Sequence, residues 1–417
     1  MWEEGLVGPE DSEPKHIEGG LARVPVYTMG KWGGKYLRAP DIYFEILEAA
    51  RDKLIRLGDI AIVDSGINTR ANDFFYVKRL QKDEWLDGPI ENFAGRKVPP
   101  DCCVIESWVG RFKRTAKAKN PFWPTRWVIE EKYLRPVITS PQEVPTIEVD
   151  PKKLEWLVLS VNEDWSNLRG THVRDYLEFA KTSRKAVLPS GESIEALEVN
   201  KRPELSKRKQ TQEDGRKGAW WYSVRDKKYG KNLVPEATGD IFRSLYIRGK
   251  PIPSDHRLFA IHPKVDVFPE RGLALFMNCS FAACARELLS RSNLGQGGLT
   301  TDGIDWSLMP APQSHVLAEI EGLFGETTAL FRRQIGPITA EIEQPGKLLL
   351  DEVVLKVLGL PKKMRATLAE ATVSLVRRRI EKAISLRRQP SRERIEAAEK
   401  TRGIWAGLPE ELDEAEE

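Results

Sequence analysis

The spacing of apolar and small residues in segment 273–289 (LALFMNCSFAACARELL) predicts a helix that packs inward. The next stretch, residues 291–312, is polar and rich in glycine, so its backbone can take positive φ and lie close to a ligand. Asp302 and Gly303 form a turn pair, and the prolines of residues 309–312 predict an extended exit. This order of helix, glycine-rich segment and extended exit predicts a ligand-binding loop. The alternative is a helix cap followed by a hairpin, without a ligand.

The glycines of this stretch match neither of two common nucleotide-binding motifs. A P-loop requires a lysine directly after its last glycine, and no lysine stands there. A dinucleotide fingerprint follows a strand, whereas these glycines follow a predicted helix. The glycines alone therefore do not identify a ligand.

Apolar periodicity elsewhere predicts a mixture of helices and strands. Pro40 begins a predicted helix whose inward side chains include Ile42, Leu47, Ala50 and Leu54. Residues 60–63 and 74–77 are strand-like, and a polar loop, residues 68–73, joins them. Residues 240–264 alternate short apolar runs with turns, which is typical of strands.

Four further segments have the apolar spacing of helices. They are residues 171–181, residues 313–333 as one helix or a pair of helices, residues 348–358, which end at Gly359, and a final helix that begins at Pro361. The inward positions are Val173, Tyr176, Leu177 and Ala180 in the first of them, and Met364, Leu368, Ala371, Leu375, Ile380 and Ile384 in the last. The pattern predicts an α/β (mixed α+β) fold with a mixed β-sheet and a C-terminal helical region.

Composition places the chain among ordinary globular proteins. Its 417 residues can form two or three subdomains, and no apolar run approaches the ~20 residues of a membrane helix. Residues 1–20 are acidic and lack the apolar core of a signal peptide, so we expect a cytoplasmic protein that contacts no membrane. Four cysteines and five histidines lack the spacing of a disulfide framework or a metal site.

Charge is distributed unevenly along the chain. The net charge is +3, but residues 1–20 and residues 403–417 are both acidic, so the body between them is distinctly basic. A basic body is compatible with a polyanionic partner without requiring one.

The first basic segment is residues 111–135, in which Phe122, Trp123 and Trp127 are interleaved with the cations. Cations neutralise phosphates and aromatic rings stack on unpaired bases, so this mixture suits a nucleic acid. The alternative is a solvated basic loop above a tryptophan in the core. The candidate DNA contacts here are Arg111, Lys113 and Arg114.

The second basic segment is residues 200–230, which contains a Trp-Trp-Tyr run. Its cations could hold a DNA backbone while an aromatic ring lies beside an extruded base. The alternative is a charged linker followed by a buried aromatic strand, which we favour for one of the two tryptophans. The candidate DNA contacts are Lys201, Arg202, Lys207, Arg208, Lys209, Trp221, Tyr222 and Arg225.

Several ordered blocks carry a family resemblance across residues 30–385. They read KYLRAPDIYFEIL, LGDIAIVDSGINTRANDFFYV, THVRDYLEFAK, WWYSVRD, RLFAIHPK, LSRSNLGQGGLTTDGIDWSLMPAP and LLLDEVVLKVLGLP. In this order they resemble the C-terminal target-recognition region of N6-adenine DNA methyltransferases of the Type IIG restriction–modification enzymes. More distantly, they resemble the recognition domains of Type I specificity subunits.

The chain departs from that family in its chemistry. The family binds S-adenosylmethionine in an upstream domain and flips adenine against an [NDS]-P-P-[YFW] motif, which this sequence lacks. Its nearest segments are NPFW at 120–123 and VPPD at 98–101. The resemblance therefore implies a DNA-recognition component without catalysis or a cofactor of its own. Its partners would be double-stranded DNA and a separate methyltransferase or nuclease chain, with S-adenosylmethionine on the partner.

Two alternatives stay open at this point. The chain could be a truncated or split adenine methyltransferase subunit, or a protein-interaction scaffold of a defence system. For the recognition reading, the predicted base-edge contacts are Arg70, Asn72, Arg291, Asn293 and Gln296, because Arg pairs with guanine and Asn or Gln with adenine.

The predicted organisation has five parts. They are a flexible lead-in (1–30), a DNA target-recognition domain (31–270), a unit of central helix, glycine-rich loop and helix (271–345), a C-terminal helical region (346–390) and an acidic tail (391–417).

Overall fold

A computed structural model describes most of the chain between residues 15 and 388. The described residues are 15–17, 20–22, 38–81, 84, 89–95, 97–107, 125–187, 193–196, 198–202, 205, 220–224, 227–293, 297–325 and 329–388. The predicted acidic tail lies outside them, and two short paired strands lie within the predicted lead-in.

The strands of the described part are mostly short. They are β1 (Lys15–Ile17), β2 (Gly20–Ala22), β3 (Leu54–Arg56), β4 (Ala61–Ser65), β5 (Tyr76–Arg79), β6 (Cys102–Ser107), β7 (Thr125–Glu130), β8 (Leu134–Pro136), β9 (Glu148–Val149), β10 (Trp156–Leu159), β11 (Arg184–Val187), β12 (Ser193–Ala196), β13 (Asn232–Pro235), β14 (Ala237–Thr238), β15 (Leu245–Ile247), β16 (Leu258–Pro263), β17 (Arg291–Asn293), β18 (Gly298–Thr300) and β19 (Pro310–Pro312).

Helices dominate the C-terminal third. They are α1 (Asp41–Ala49), α2 (Leu57–Ile60), α3 (Asn72–Phe75), α4 (His172–Phe179), α5 (Glu270–Met277), α6 (Ser280–Leu289), α7 (Gly303–Ser307), α8 (Ser314–Phe324), α9 (Ala329–Arg332), α10 (Ile338–Glu341), α11 (Pro345–Leu358) and α12 (Met364–Arg388).

Two five-stranded sheets organise these elements. The first sheet is antiparallel, in the order β7-β6-β5-β10-β8. The second sheet has the order β4-β16-β13-β15-β9 and is mixed, because β15 and β9 run parallel. The predicted mixed α/β fold is therefore confirmed.

Each sheet covers its own apolar core. Under the first sheet, α4 packs against β7, and Phe74, Tyr176 and Trp221 lie in the core. Beside the second sheet, a larger core joins α1, α5, α6, α8 and α11, with Trp306 of α7 buried among them. The helix predicted over residues 171–181 is confirmed as α4, and its four predicted inward side chains are buried.

The helix predicted over residues 273–289 is two helices, α5 and α6, bent by 69°. Asn278 lies at the break, where its side-chain amide donates to the carbonyls of Ala274 at 2.8 Å and Ser244 at 3.0 Å. Its Oδ1 accepts from the Ser244 amide at 3.0 Å. The asparagine side chain thus takes over backbone hydrogen bonds and allows the chain to turn.

Three local predictions are corrected by neighbouring structure. Leu54 lies in β3 instead of continuing the first helix, because β3 pairs with the proline strand β19. Phe74 and Phe75 belong to the short helix α3, and the strand begins at Tyr76. Asp302 caps α7 through the Asp302–Asp305 capping box instead of forming an isolated turn.

The C-terminal helices follow the sequence pattern more closely. Helix α11 has Pro345 in its first turn and ends at Gly359, whose φ of 80° favours glycine. Helix α12 begins at Met364, one turn later than predicted. Ile384, predicted to point inward, is 45% exposed, whereas Ala383 beside it is buried.

Within the described part of the chain, no single helix is long and apolar enough to cross a membrane. The pair α5–α6 has the length and composition of a span only when taken together across its 69° bend.

Candidate nucleic-acid interface

Two loops that are far apart in the sequence are linked by a series of backbone hydrogen bonds at one end of the second sheet. The amide of His256 donates to the carbonyl of Ile67 at 2.9 Å, which brings loop 66–71 beside the start of β16. The amide of Glu236 donates to Arg257 O, and the amide of Thr301 donates to Glu236 O, both at 2.8 Å. These bonds connect loop 66–71 with the glycine-rich hairpin β17–β18 through the segment at His256 and Arg257 and through Glu236.

Three arginines lie exposed along this series of contacts. Arg70 belongs to loop 66–71, and Arg257 stands between the two loops with 53% of its side chain exposed. Arg291 begins the hairpin, is also 53% exposed and pairs with Asp302. Three exposed guanidinium groups thus lie along the path from the end of the second sheet to the hairpin. Sequence analysis missed Arg257, because its position between the two loops depends on strand pairing.

Loop 66–71 has an unusual backbone at Arg70. Its φ of 60° lies in the left-handed region, which a residue with a side chain enters at some cost. The Arg70 amide donates to Oδ1 of Asn68 at 3.1 Å, and Thr69 beneath it is fully buried. The loop is therefore held by its own polar groups while Arg70 points to solvent.

Asp255 connects this loop to both sheets through its buried carboxylate. Its fully buried carboxylate accepts hydrogen bonds from the Tyr76 hydroxyl at 2.8 Å, the Asn72 side-chain amide at 3.3 Å and Arg257 Nε at 2.9 Å. Burial, reinforced by the Asp255 charge, raises the pKa of Tyr76 well above its usual value. Tyr76 therefore stays a hydrogen-bond donor.

The same network corrects the role predicted for Asn72. Its amide nitrogen donates to Asp255, and its oxygen accepts from the Thr69 hydroxyl. Both ends of the amide are thus bonded within the protein, and its side chain fixes loop 66–71 instead of reaching a base.

The second basic segment divides into residues with different roles. Lys201 has 71% of its side chain exposed and pairs with Glu198 at 2.9 Å. Arg202 instead donates two parallel hydrogen bonds to the carboxylate of Asp73, at 2.6 and 2.8 Å, and is 20% exposed. The phosphate contact predicted for Arg202 is corrected to a structural ion pair. Lys207, Arg208, Lys209 and Arg225 lie outside the described residues.

The end of that segment reaches the second sheet. Lys227 donates to the carbonyl of Ser65 at 2.6 Å, one residue before loop 66–71 begins. Lys228 beside it is exposed. This lysine pair therefore adds positive charge at the sheet end that carries the three arginines.

Trp221 and Tyr222 lie in the core beneath the first sheet. Trp221 is 6% exposed and its ring lies 5.8 Å from that of Phe74, whereas Tyr222 is 2% exposed and donates to Glu163 O at 3.0 Å. Burial raises the pKa of Tyr222 to about 12. The stacking role predicted for these rings requires an exposed face, so both are corrected to core residues.

The other predicted contacts are only partly described. Asn293 lies in β17 opposite Gly298, and Gln296 lies outside the described residues. Arg111, Lys113 and Arg114 also lie outside them. Trp127 of the first basic segment is buried in β7, where its indole donates to Thr125 Oγ1 at 2.8 Å.

Metal-binding residues do not gather at this surface. Among the described residues, no group of three His, Cys, Asp or Glu side chains has the arrangement of a metal site. The described part of the interface therefore offers cations and backbone for binding, without a metal-ligand cluster.

Comparisons with known proteins give little beyond this geometry. No protein-family profile and no curated protein matches the chain. One solved structure similar to it is the type IIG restriction endonuclease BpuSI, with 12% sequence identity and a TM-score of 0.47. The match covers 82% of this chain and 33% of BpuSI, so this chain spans about a third of that protein's length.

Proposed function

We propose that this chain is a sequence-specific DNA-recognition component of a restriction–modification or related defence system. It would act with a separate N6-adenine methyltransferase or nuclease chain, and S-adenosylmethionine would belong to that partner. The partner and its cofactor rest on the resemblance of the sequence blocks alone.

The observation that supports DNA binding most is the row of exposed arginines along the hydrogen-bonded path from loop 66–71 to hairpin β17–β18. Arg70 and Arg291 were predicted from sequence as DNA contacts, and the backbone bonds of His256, Glu236 and Thr301 link the segments that carry them. Arg70, Arg257 and Arg291 are exposed there. Guanidinium groups bind phosphates, and they also bind guanine in a bidentate manner in the major groove.

The rigidity of this surface also suits recognition. Asp255 beneath Arg257 is fully buried, and Nε of Arg257 donates to it at 2.9 Å. Arg291 is oriented by its pair with Asp302. Side chains held in this way lose less conformational entropy when they bind a duplex.

A salt series of gel shifts with random duplexes tests this proposal. Arg70→Ala and Arg291→Ala should each weaken binding roughly tenfold and lower the slope of log K against log salt by about one. Arg51→Ala is the matched control, because Arg51 is also an exposed arginine with a carboxylate partner, Glu48, but lies outside the two loops, just after α1. Lack of duplex binding by the folded wild-type chain at low salt would overturn the proposal and favour a protein-interaction scaffold.

The alternative of a split methyltransferase has its own test. Transfer of a labelled methyl group from S-adenosylmethionine to DNA by this chain alone would establish an active enzyme. We expect no transfer without a partner chain, because the sequence lacks the family's catalytic motif.

A further inference from the structure

The glycine-rich hairpin rests directly on the long C-terminal helix α12. Gly297, at the turn of the hairpin, has a φ of 66°. A Cβ atom placed on it would lie 3.0 Å from Cβ of Ala383 and 3.8 Å from Cα of Ile380, both on α12. Glycine is therefore required twice, for the left-handed backbone and for the close approach of the helix.

Arg379 of α12 connects three separate elements beneath the hairpin. Its guanidinium donates to the carbonyl of Gly297 in the hairpin and, at 2.9 Å, to the carbonyl of Gly239 in the loop after β14. The same group donates to the carboxylate of Glu287 on α6 at 2.7 and 3.0 Å. The side chains of Arg379 and Glu287 are only 4% and 2% exposed.

A second buried arginine holds the other end of the hairpin. Arg286 donates to Oγ1 of Thr301 at 3.1 Å and to the carbonyl of Pro235 at 2.7 Å. The hydroxyl groups of Ser290 and Thr301 lie 2.7 Å apart. The hairpin is thus fixed at its turn by Arg379 and at its end by Arg286, and Arg291 begins the first strand of the hairpin, opposite Thr300.

We infer that Arg379 is a positioning residue for DNA binding: it fixes the hairpin through Gly297 and so places Arg291 against the duplex. This inference rests on the proposed function. The planar guanidinium has five donors, so it can hold one carboxylate and two carbonyls in fixed directions. A lysine keeps the charge beside Glu287 but cannot hold both carbonyls in the same geometry.

A double-mutant cycle on duplex affinity tests the inference, with the variants Arg379→Lys, Arg291→Ala and the pair. Arg379→Lys should weaken binding roughly tenfold, and Arg291→Ala should then cost much less than it does in the wild type. Arg378→Lys is the matched control, because Arg378 is the exposed neighbour on the same helix. A general loss of stability would instead leave the two effects independent.

Hydrogen exchange gives a local measure that does not involve DNA. In Arg379→Lys, amides of the β17–β18 hairpin should exchange faster, while those of α4 should be unchanged. If Arg379→Lys does not fold, Gly297→Ala takes its place in the cycle, because its Cβ would push the hairpin away from α12.

The outcomes separate the two proposals. Lack of wild-type duplex binding would overturn the proposed function, and this inference with it. In the other case, the wild type binds the duplex and Arg291→Ala weakens that binding. The positioning role alone would then be overturned if the effects of Arg379→Lys and Arg291→Ala were independent, or if hydrogen exchange in the hairpin were unchanged.

Discussion

The hydroxyl of Tyr76 donates a 2.8 Å hydrogen bond to the buried carboxylate of Asp255, and this bond joins the two sheets. Tyr76 begins β5 of the first sheet, whereas Asp255 directly precedes the β16 region of the second. Bridges between Ile67 and Asp255 and between Ile138 and Ser254 run beside it. The Asp255 carboxylate and these bridges together therefore set the relative position of the sheets and of loop 66–71.

Replacement of that carboxylate should destabilise the fold strongly. We expect Asp255→Asn to lower the free energy of unfolding by about 3 kcal/mol, because Arg257 and Tyr76 lose a charged buried acceptor. Urea unfolding measures this change, and Tyr76→Phe, which removes one donor, should cost only about 1 kcal/mol. Equal losses in both variants would contradict a central role for the carboxylate.

The adjacent cations Lys201 and Arg202 should respond in opposite ways. Arg202→Met breaks the paired bonds to Asp73 and should cost about 1–2 kcal/mol of stability, since the pair is only partly shielded from solvent. Lys201→Ala removes an exposed pair and should cost less than about 0.5 kcal/mol.

DNA binding by these two variants completes the comparison. Lys201→Ala should reduce the salt slope of duplex binding, whereas Arg202→Met should leave the slope unchanged wherever the protein is folded. A lower salt slope for Arg202→Met would show that Arg202 contacts DNA.

Trp221 provides a test of the core beneath the first sheet. Because its ring is buried against Phe74, Trp221→Ala should cost about 3–5 kcal/mol of stability. Tyr222→Phe removes only the bond to Glu163 O and should cost about 1 kcal/mol. Thermal unfolding measures both changes. A stable Trp221→Ala protein with lost DNA binding would instead indicate a ring that faces the ligand.

Glu143 should make stability depend on pH. The residue as a whole is exposed, but partial desolvation of its carboxyl group, together with the charges of Glu155 and Asp255, raises its pKa from 4.5 to about 7. The folded chain then holds this proton more tightly than the unfolded chain, so its contribution to stability falls between pH 4.5 and about pH 7 and is level above that.

Glu143→Gln should remove this contribution. We expect the unfolding temperature of the variant to exceed that of the wild type at pH 8 by more than it does at pH 5. Differential scanning fluorimetry at both pH values measures the difference. An equal difference at both pH values would show that Glu143 has an ordinary pKa.

Local patterns identified several elements well before their packing was known. The apolar face of α4 depends on the 3.6-residue periodicity of the helix, and the end of α11 depends on the positive φ of Gly359. Both are properties of short stretches of sequence. The bend at Asn278 was not predictable, because its hydrogen-bond partner Ser244 lies 34 residues earlier in the sequence, just before β15. The predicted inward position of Ile384 was wrong because the buried face of α12 runs through Val376, Arg379 and Ala383, and Ile384 lies beside that face.

The sequence by itself determined the mixed α/β composition, the basic body and the polar and glycine-rich loops, since these depend on residue type and short-range spacing. Only the tertiary structure decided how far each cation is exposed. Arg202 pairs with Asp73 across 129 residues and is 20% exposed, whereas Arg257 pairs with Asp255 and is 53% exposed. Charge and aromaticity are properties of the residue type. Exposure and hydrogen-bond partners arise from long-range contacts, so the local sequence does not predict them.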